Sequence, residues 1–177
     1  MTPQEIHDRL KTRFGDKILD ATLDDPATEP QIGVMPEALR EVATLLAETP
    51  EFAFHSLLTL TAFDTLNKKK KTDELGVAYV LYAMEHRHRI MLKVLLPREN
   101  PQVPSVSQIW PTAKWHEREA WDLYGIRFTG LEDHRRILLP EDWEGHPMRK
   151  DYVVPESWHG IPTGSVLPKE LPLGTKY

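Results

Sequence analysis

The chain has 177 residues, 40% of them hydrophobic and 28% charged, which is typical of one domain with a real core. A net charge of -5 argues against a general nucleic-acid-binding protein, because such proteins bind mainly by neutralising phosphates. The absence of cysteine excludes disulfides and cysteine-bound iron–sulfur clusters. No apolar run approaches the roughly 20 residues needed to cross a bilayer, and charged residues interrupt the start of the chain. These features predict a cytoplasmic protein.

The first 96 residues predict the order helix, strand, strand, helix, strand, strand, strand. The first helix begins at a capping box that starts at Thr2, and Gly15 ends it. The remaining predicted elements are strands at 18–23 and 32–35, a helix from 36 to before 50, and strands at 57–63, 75–84 and 90–96. This order predicts a two-layer α+β domain in which both helices cover one face of the sheet.

A further helix is predicted between Pro111, which can open it, and Gly125, which can close it. One side of this helix is mostly apolar and the other mostly charged. Glu117 falls on the apolar side, so it lies at the edge of that side or accepts hydrogen bonds from a neighbouring loop. Trp115 falls among the charges, where an exposed indole is typical of protein interfaces, although one exposed apolar residue is also ordinary. A zinc-protease site is excluded because Ala120 stands where its second histidine is required.

The composition changes after residue 96. Ten of the 15 prolines and all five tryptophans follow it. Residues 131–177 show no clear helical or strand periodicity, so we expect an extended, Pro/Trp-rich C-terminal segment beside an α+β domain of residues 1–130. Large apolar residues such as Trp143 and Trp158 distinguish this segment from a flexible linker. It lies on its own domain or on another subunit, and both possibilities stay open.

The sequence contains no glycine-rich phosphate loop, no dinucleotide fingerprint and no Gly-x-Ser-x-Gly elbow. These absences favour a binding or scaffold subunit over a self-sufficient enzyme. Two other hypotheses remain open. One is a free-standing enzyme that uses Glu117, His116 or Glu119 as an acid or base, and the other is an adaptor for an unrelated partner.

Three ordered blocks resemble one known family. Residues 115–126 (WHEREAWDLYGI) resemble the defining motif of the C subunit of the bacterial NADH–quinone oxidoreductase, respiratory complex I, also called the thirty-kilodalton subunit family. Residues 135–138 (RRIL) resemble the next block, and residues 144–152 (EGHPMRKDY) resemble the last, with Met148 where the family usually has leucine. The turn at 130–134 departs from the pattern because it lacks the usual His-Pro and leucine.

The resemblance implies a subunit without a redox centre, inactive alone, in the hydrophilic arm of a proton-translocating complex. Such a subunit lies on the cytoplasmic side of the inner membrane and is held there only through the complex. Iron–sulfur clusters, flavin and quinone would belong to partner subunits. The C-terminal segment would pack on the quinone-site D subunit, with the cluster-bearing B and I subunits nearby. NADH is the expected donor, but relatives also serve membrane-bound hydrogenases and ferredoxin-dependent dehydrogenases.

The resemblance also implies a partner interface on the outer helix face and the C-terminal segment. Trp115 is its expected anchor, and Arg118 and Asp122, four residues apart, are expected to pair with each other. Planar guanidinium groups suit carboxylates on a partner. The predicted interface residues are Trp115, Arg118, Glu119, Asp122, Arg135, Arg136, Trp143, Arg149, Lys150, Tyr152 and Trp158. No catalytic, cofactor-binding or metal-binding residue is predicted.

Overall fold

The computed structural model describes residues 1–25, 28–67 and 71–163, so residues 164–177 of the predicted C-terminal segment lie outside the described residues. The helices of this part are α1 (Pro3–Phe14), α2 (Leu39–Glu48) and α3 (Ala113–Tyr124). Its strands are β1 (Ile18–Thr22), β2 (Gln31–Val34), β3 (Ser56–Asp64), β4 (Glu74–Ala83), β5 (His88–Pro97), β6 (Gln102–Pro104), β7 (Arg127–Thr129), β8 (Ser157–Trp158) and β9 (Ile161–Pro162). The predicted mixed α+β class is confirmed.

Local sequence signals set the ends of the first helices. In α1 the Glu5 amide donates to Thr2 Oγ1 at 3.2 Å, and the Thr2 amide donates to Glu5 Oε2 at 2.8 Å. These two bonds complete the predicted capping box. The second helix starts later than predicted, because Pro36–Ala38 form a 3-10 turn and α2 begins at Leu39.

The main sheet has the strand order β1-β2-β5-β4-β3. β2 and β5 pair in parallel, and the other neighbouring pairs are antiparallel. The long hairpin of β4 and β5 pairs residues from Glu74↔Pro97 to Ala83↔His88. The two short strands β1 and β2 therefore join the meander of β3, β4 and β5 through β5, which is the middle strand.

The helices pack on one face of this sheet. Alternate residues of β4, from Leu75 to Ala83, are buried, as are those of β5 from Ile90 to Leu96. Together with the apolar side chains of α1 and α2 they form one continuous core. The other residues of β4 and β5 point to the opposite face, as the two-residue period of a strand requires.

The segment after β5 holds α3 against the edge strand β3. Its strands β6 and β7, which the sequence did not predict, pair in parallel through Val103↔Phe128. Trp110 is 2% exposed, and its indole N–H donates to the carbonyl of Phe54 at 2.9 Å. Buried Ala120 and buried Leu60 line the contact between α3 and β3. Contacts with the core therefore fix the segment before α3 and the side of α3 that packs on β3.

After β7 the chain turns back along α3. Most of residues 131–163 is irregular, as predicted, but β8 and β9 pair through Trp158↔Ile161. The sequence did not predict these two strands, because two residues are too few to show a period. Among residues 1–25, 28–67 and 71–163, no helix has the length and apolar character that a membrane crossing requires.

Candidate functional site

Glu117 lies in the core beneath α3 and is 0% exposed. Ser105 Oγ donates to its Oε2 at 2.6 Å, and the Val106 amide donates to its Oε1 at 2.8 Å. Burial raises the pKa of Glu117 to about 7, although both bonds act to lower it. The interpretation that a neighbouring loop supplies the donors is confirmed. Glu117 is therefore sealed from solvent, whereas the hypothesis of an enzyme that uses Glu117, His116 or Glu119 stays untested.

Asp122 is also 0% exposed, although the sequence placed it on the outer face of α3. Its Oδ1 accepts from Arg136 Nη1 at 2.7 Å, and its Oδ2 accepts from the backbone amides of Ile137, Leu138 and Leu139 at 3.1, 2.9 and 3.0 Å. Burial alone would raise the pKa of Asp122, but these donors together lower it. The prediction that Asp122 faces a partner and pairs with Arg118 is wrong, because the returning chain covers the outer side of α3 at Asp122.

Gly125 and the returning chain supply donors to the last turn of α3, whose carbonyls have no partner inside the helix. The bonds run from the Gly125 amide to Trp121 O (2.8 Å), from His146 Nδ1 to Asp122 O (2.9 Å), from the Met148 amide to Leu123 O (3.1 Å) and from Arg149 Nε to Tyr124 O (2.6 Å). Gly125 has φ 73°, and an added Cβ there would lie 2.5 Å from the His146 ring. Gly125 therefore ends the helix and also leaves room for the His146 ring that binds its last turn.

Arg118 and Arg136 bind the returning chain. Arg118 Nε donates to the carbonyl of Arg135 at 3.1 Å, and its Nη2 donates to that of Arg136 at 3.0 Å. Arg136 Nη2 donates to the carbonyl of Trp143 at 2.6 Å. Each of these two side chains is only 13% exposed. The guanidinium donors named here therefore bind carbonyls of the same chain, and the predicted contact of Arg118 and Arg136 with a partner stays a prediction.

A second cluster ties the returning chain to the sheet. Arg98, which the sequence did not single out, pairs with Asp64, with Asp73 and, at 3.0 Å, with Asp151. The Lys150 amide donates to Asp64 Oδ2 at 2.8 Å. Burial alone would raise the pKa of Asp64, but the bonds from Arg98 and from the backbone amides of Lys150 and Leu66 together lower it. No local pattern predicts this cluster, because its members come from β3, from the ends of β4 and β5 and from the C-terminal segment.

Other predicted interface residues remain open to solvent. Trp115 is 63% exposed and lines a groove of about 360 Å³ between α3 and the turn that contains Leu131. The Arg118 guanidinium lies 5.4 Å from the centre of the Trp115 ring. The Arg135 side chain is 76% exposed, although it forms an ion pair with Asp133. This groove, which we call the Trp115 groove, is the candidate partner site.

Of the remaining predicted interface residues, some are partly buried by contacts inside the chain and others are exposed to solvent. The rings of Trp143 and Trp158 lie 5.7 Å apart, and both side chains are partly buried. Tyr152 is partly buried and its hydroxyl donates to a backbone carbonyl at 3.3 Å, whereas Glu119 is exposed at 49% of its side chain. Within the described part of the chain, no cluster of three or more histidines and acids is arranged to hold a metal ion.

Comparison with known proteins decides the family. Residues 32–157 match the family described as "Respiratory-chain NADH dehydrogenase, 30 Kd subunit". The chain belongs to this family. The matched range contains α3, both of its buried carboxylates and the segment that caps it, so the internal contacts described above lie within the part that is shared with this family.

Several relatives are named as the C subunit of NADH-quinone oxidoreductase. The chain is 41% identical to the protein of Chloroherpeton thalassium over 90% of its own length and 65% of the relative. It is 46% identical to that of Roseiflexus castenholzii over 68% of its own length and 67% of the relative. The chain thus spans about two thirds of these relatives. It is also 35% identical, over 85% of its length, to 26% of a protein of Rhodopseudomonas palustris that is named as a C/D subunit.

Two solved structures share the fold of this thirty-kilodalton family member. One is the trypsin-resistant fragment of Nqo5, with a TM-score of 0.62, 23% identity and coverage of 75% of this chain and 99% of that one. The other belongs to an archaeal membrane-bound sulfane sulfur reductase, with a TM-score of 0.67, 23% identity and coverage of 85% of both chains.

Proposed function

We propose that this chain is a cofactor-free scaffold subunit of a proton-translocating NADH–quinone oxidoreductase. The observation that carries the proposal is the family match over 32–157, together with relatives named as the C subunit. In this role the chain positions other subunits and handles no electrons itself. Iron–sulfur clusters, flavin and quinone are assigned to those partners, and the whole assembly performs the oxidoreduction.

The physical role rests on how α3 is built. Two buried carboxylates fix it from both sides: Glu117 binds the loop before the helix, and Asp122 binds the chain that returns after it. Because both contacts are internal, the outer surface at Trp115 is held rigid before any partner arrives. A preorganised surface loses less conformational entropy on binding. The Trp115 groove is therefore suited to act as a fixed docking point for a neighbouring subunit.

We assign this docking role to the D subunit, with the cluster-bearing B and I subunits nearby. The relative named as a C/D subunit carries a region similar to this chain within one longer protein, which supports close association of C with D. The C-terminal segment offers further apolar surface, since Val153 is 83% exposed and Ile161 is 65% exposed. The complex, rather than the chain, would be held at the cytoplasmic face of the inner membrane.

A second candidate is the equivalent subunit of a related complex that uses another electron donor, such as a membrane-bound hydrogenase or a ferredoxin-dependent dehydrogenase. The specific observation in its favour is the likeness to a chain of a sulfane sulfur reductase complex. That likeness concerns the fold alone, whereas the relatives with the higher sequence identity are named for NADH and quinone. We therefore rank it second.

Native mass spectrometry of the assembly isolated through a tagged copy of this chain tests the proposal. The expected result is one copy of the chain with the D subunit and with subunits that carry flavin and iron–sulfur clusters, and NADH–quinone activity in that sample. Recovery of the chain alone, or with partners that contain no redox centre, would overturn it. An assembly that contains a hydrogenase subunit in place of the NADH-oxidising one would select the second candidate.

A further inference from the structure

No helix among the described residues packs on the face of the main sheet opposite α1 and α2. Its cross-strand rows are Phe63–Gly76–Leu95, Thr61–Ala78–Lys93 and Thr59–Val80–Met91 on β3, β4 and β5. Its apolar side chains, all exposed in part, are Leu19, Leu58, Phe63, Val80, Tyr82, Met91 and Leu95. Of these, Leu58 is 46% and Leu19 is 39% exposed. We call this surface the open sheet face.

In a sheet with one solvated face, apolar residues that face the core alternate along each strand with polar residues that face water. The open sheet face instead carries apolar residues next to Thr59, Thr61 and Lys93. A Cβ added at Gly76 would lie 2.2 Å from the Phe63 ring, and one at Gly33 would lie 2.9 Å from Leu19 Cβ. The two glycines therefore allow Phe63 and Leu19 to cover the backbone of the adjacent strands. Phe63 and Leu19 thus join apolar residues of neighbouring strands instead of standing alone on the surface.

One cation lies near the middle of this surface. Lys93 is on β5, the middle strand, and its ammonium lies 5.2 Å from the centre of the Phe63 ring. Within the residues that the structure describes, Lys93 forms no ion pair, whereas Arg89 at the edge of the same face is paired with Glu29 at 3.1 Å. In this part of the chain, the open sheet face is therefore apolar with a central positive charge that has no carboxylate of its own.

The size of the surface suits a protein partner. Five strands about 4.8 Å apart and long strands of about 33 Å give a face on the order of 600 Å². This is the footprint of the whole face, of which the apolar side chains form a part, and extended apolar surface on a free protein often marks an interaction site. A standard interface buries about 800 Å² on each partner, so the face can supply most of one. Two copies of this chain fit poorly, because a two-fold pairing through the middle of the face would bring Lys93 against Lys93.

We propose that the open sheet face is a second docking surface, occupied by a different protein subunit that presents an apolar surface with a carboxylate opposite Lys93. This inference rests on the proposed function, since it places the chain within a larger assembly. The face lies on the side of the sheet away from α3, so it is distinct from the Trp115 groove. The chain would thus be held between two neighbours, one on each side.

Reversal of one charge and introduction of another on the open sheet face of the tagged full-length chain test this docking. We expect Lys93→Glu and Met91→Asp each to lower recovery of the chain in the assembled complex by about tenfold, because like charges or a buried unpaired carboxylate oppose the contact. Lys93→Arg should restore recovery to near the wild-type level. Arg127→Glu, an equivalent reversal at an exposed residue of β7, is the matched control and should assemble normally. Assembly of Lys93→Glu and Met91→Asp at the wild-type level would overturn the proposal.

A photo-reactive amino acid at position 91 of the chain in the intact complex gives a second readout that needs no destabilising variant. Cross-linking to another subunit of the complex, at a peptide that contains an acidic residue, supports the proposal. Cross-linking to a second copy of this chain, to lipid or to nothing overturns it. Failure of the proposed function is distinguishable, because in that case even the wild-type chain is not recovered with the complex.

Discussion

Replacement of Asp122 by asparagine tests whether the hydrogen bonds of this carboxylate hold the returning chain against α3. The carboxylate accepts four hydrogen bonds, one from Arg136 and three from backbone amides, and it is 0% exposed. Asparagine keeps the shape, but it loses the charge and turns an N–H₂ group towards groups that are themselves donors. Removal of one partner from a buried ion pair costs about 3–5 kcal/mol. Because the Arg136 side chain is 13% exposed, we take the lower limit, about 3 kcal/mol.

This loss corresponds to a fall in Tm of about 6–12 °C for a chain of this length. Denaturant and thermal unfolding of the purified chain measure it, and limited proteolysis within 131–163 should speed up in parallel. Asp133→Asn is the matched control. This exposed carboxylate binds the amide and guanidinium of Arg135 and, at 3.6 Å, the Arg118 guanidinium. An exposed ion pair contributes little to stability, so the Tm of this variant should fall by no more than about 4 °C. An Asp122→Asn variant within about 0.5 kcal/mol of wild type would refute the view that this carboxylate holds the returning chain.

Three further predictions concern other residues on or next to α3. Gly125→Ala should lower stability by about 1–2 kcal/mol in denaturant unfolding, because φ is 73° and the new Cβ meets the His146 ring, whereas Gly130→Ala at φ 89° meets no atom within 4 Å and should cost less. Glu117→Gln should alter the pH dependence of unfolding. The folded-state pKa of about 7 lies above the unfolded value of 4.5, so the wild type binds this proton more tightly when folded and loses the associated stability, on the order of 3 kcal/mol, as pH rises from about 4.5 through 7. The glutamine variant should lack that loss, and identical pH profiles would contradict it. Trp115→Ala should weaken assembly by about 2 kcal/mol in a titration with the partner subunit and leave the Tm of the isolated chain unchanged, whereas a lower Tm with normal assembly would show that the indole belongs to the core.

Local patterns predicted the elements of the first half well. The capping box at Thr2 and the two-residue period of β3, β4 and β5 are properties of neighbouring residues, so they can be recognised without the fold. The strand order could not be recognised in this way, because the parallel pairing of β2 with β5 joins segments far apart in sequence. Strands of two or three residues, such as β6 and β8, are too short to show any period.

The candidate site shows the same limit. The helical period correctly placed Glu117 on the buried side and Trp115 on the exposed side. It failed for Asp122, because a face that is outer with respect to the helix alone becomes interior once the chain returns over it. Periodicity describes one element, whereas burial depends on every element that packs against it. The bonds of Arg118 and Arg136 to backbone carbonyls were not foreseen for the same reason, since no side-chain pattern reveals such acceptors.

Hydroxyl-radical footprinting of the isolated chain and of the intact complex tests the central claim most directly. That claim is that another subunit covers the Trp115 groove. Trp110, which is 2% exposed in the chain alone, serves as the internal reference and should stay unreactive in both samples. The account predicts that Trp115, 63% exposed, is oxidised readily in the isolated chain and protected in the complex. Equal oxidation of Trp115 in both samples would contradict it.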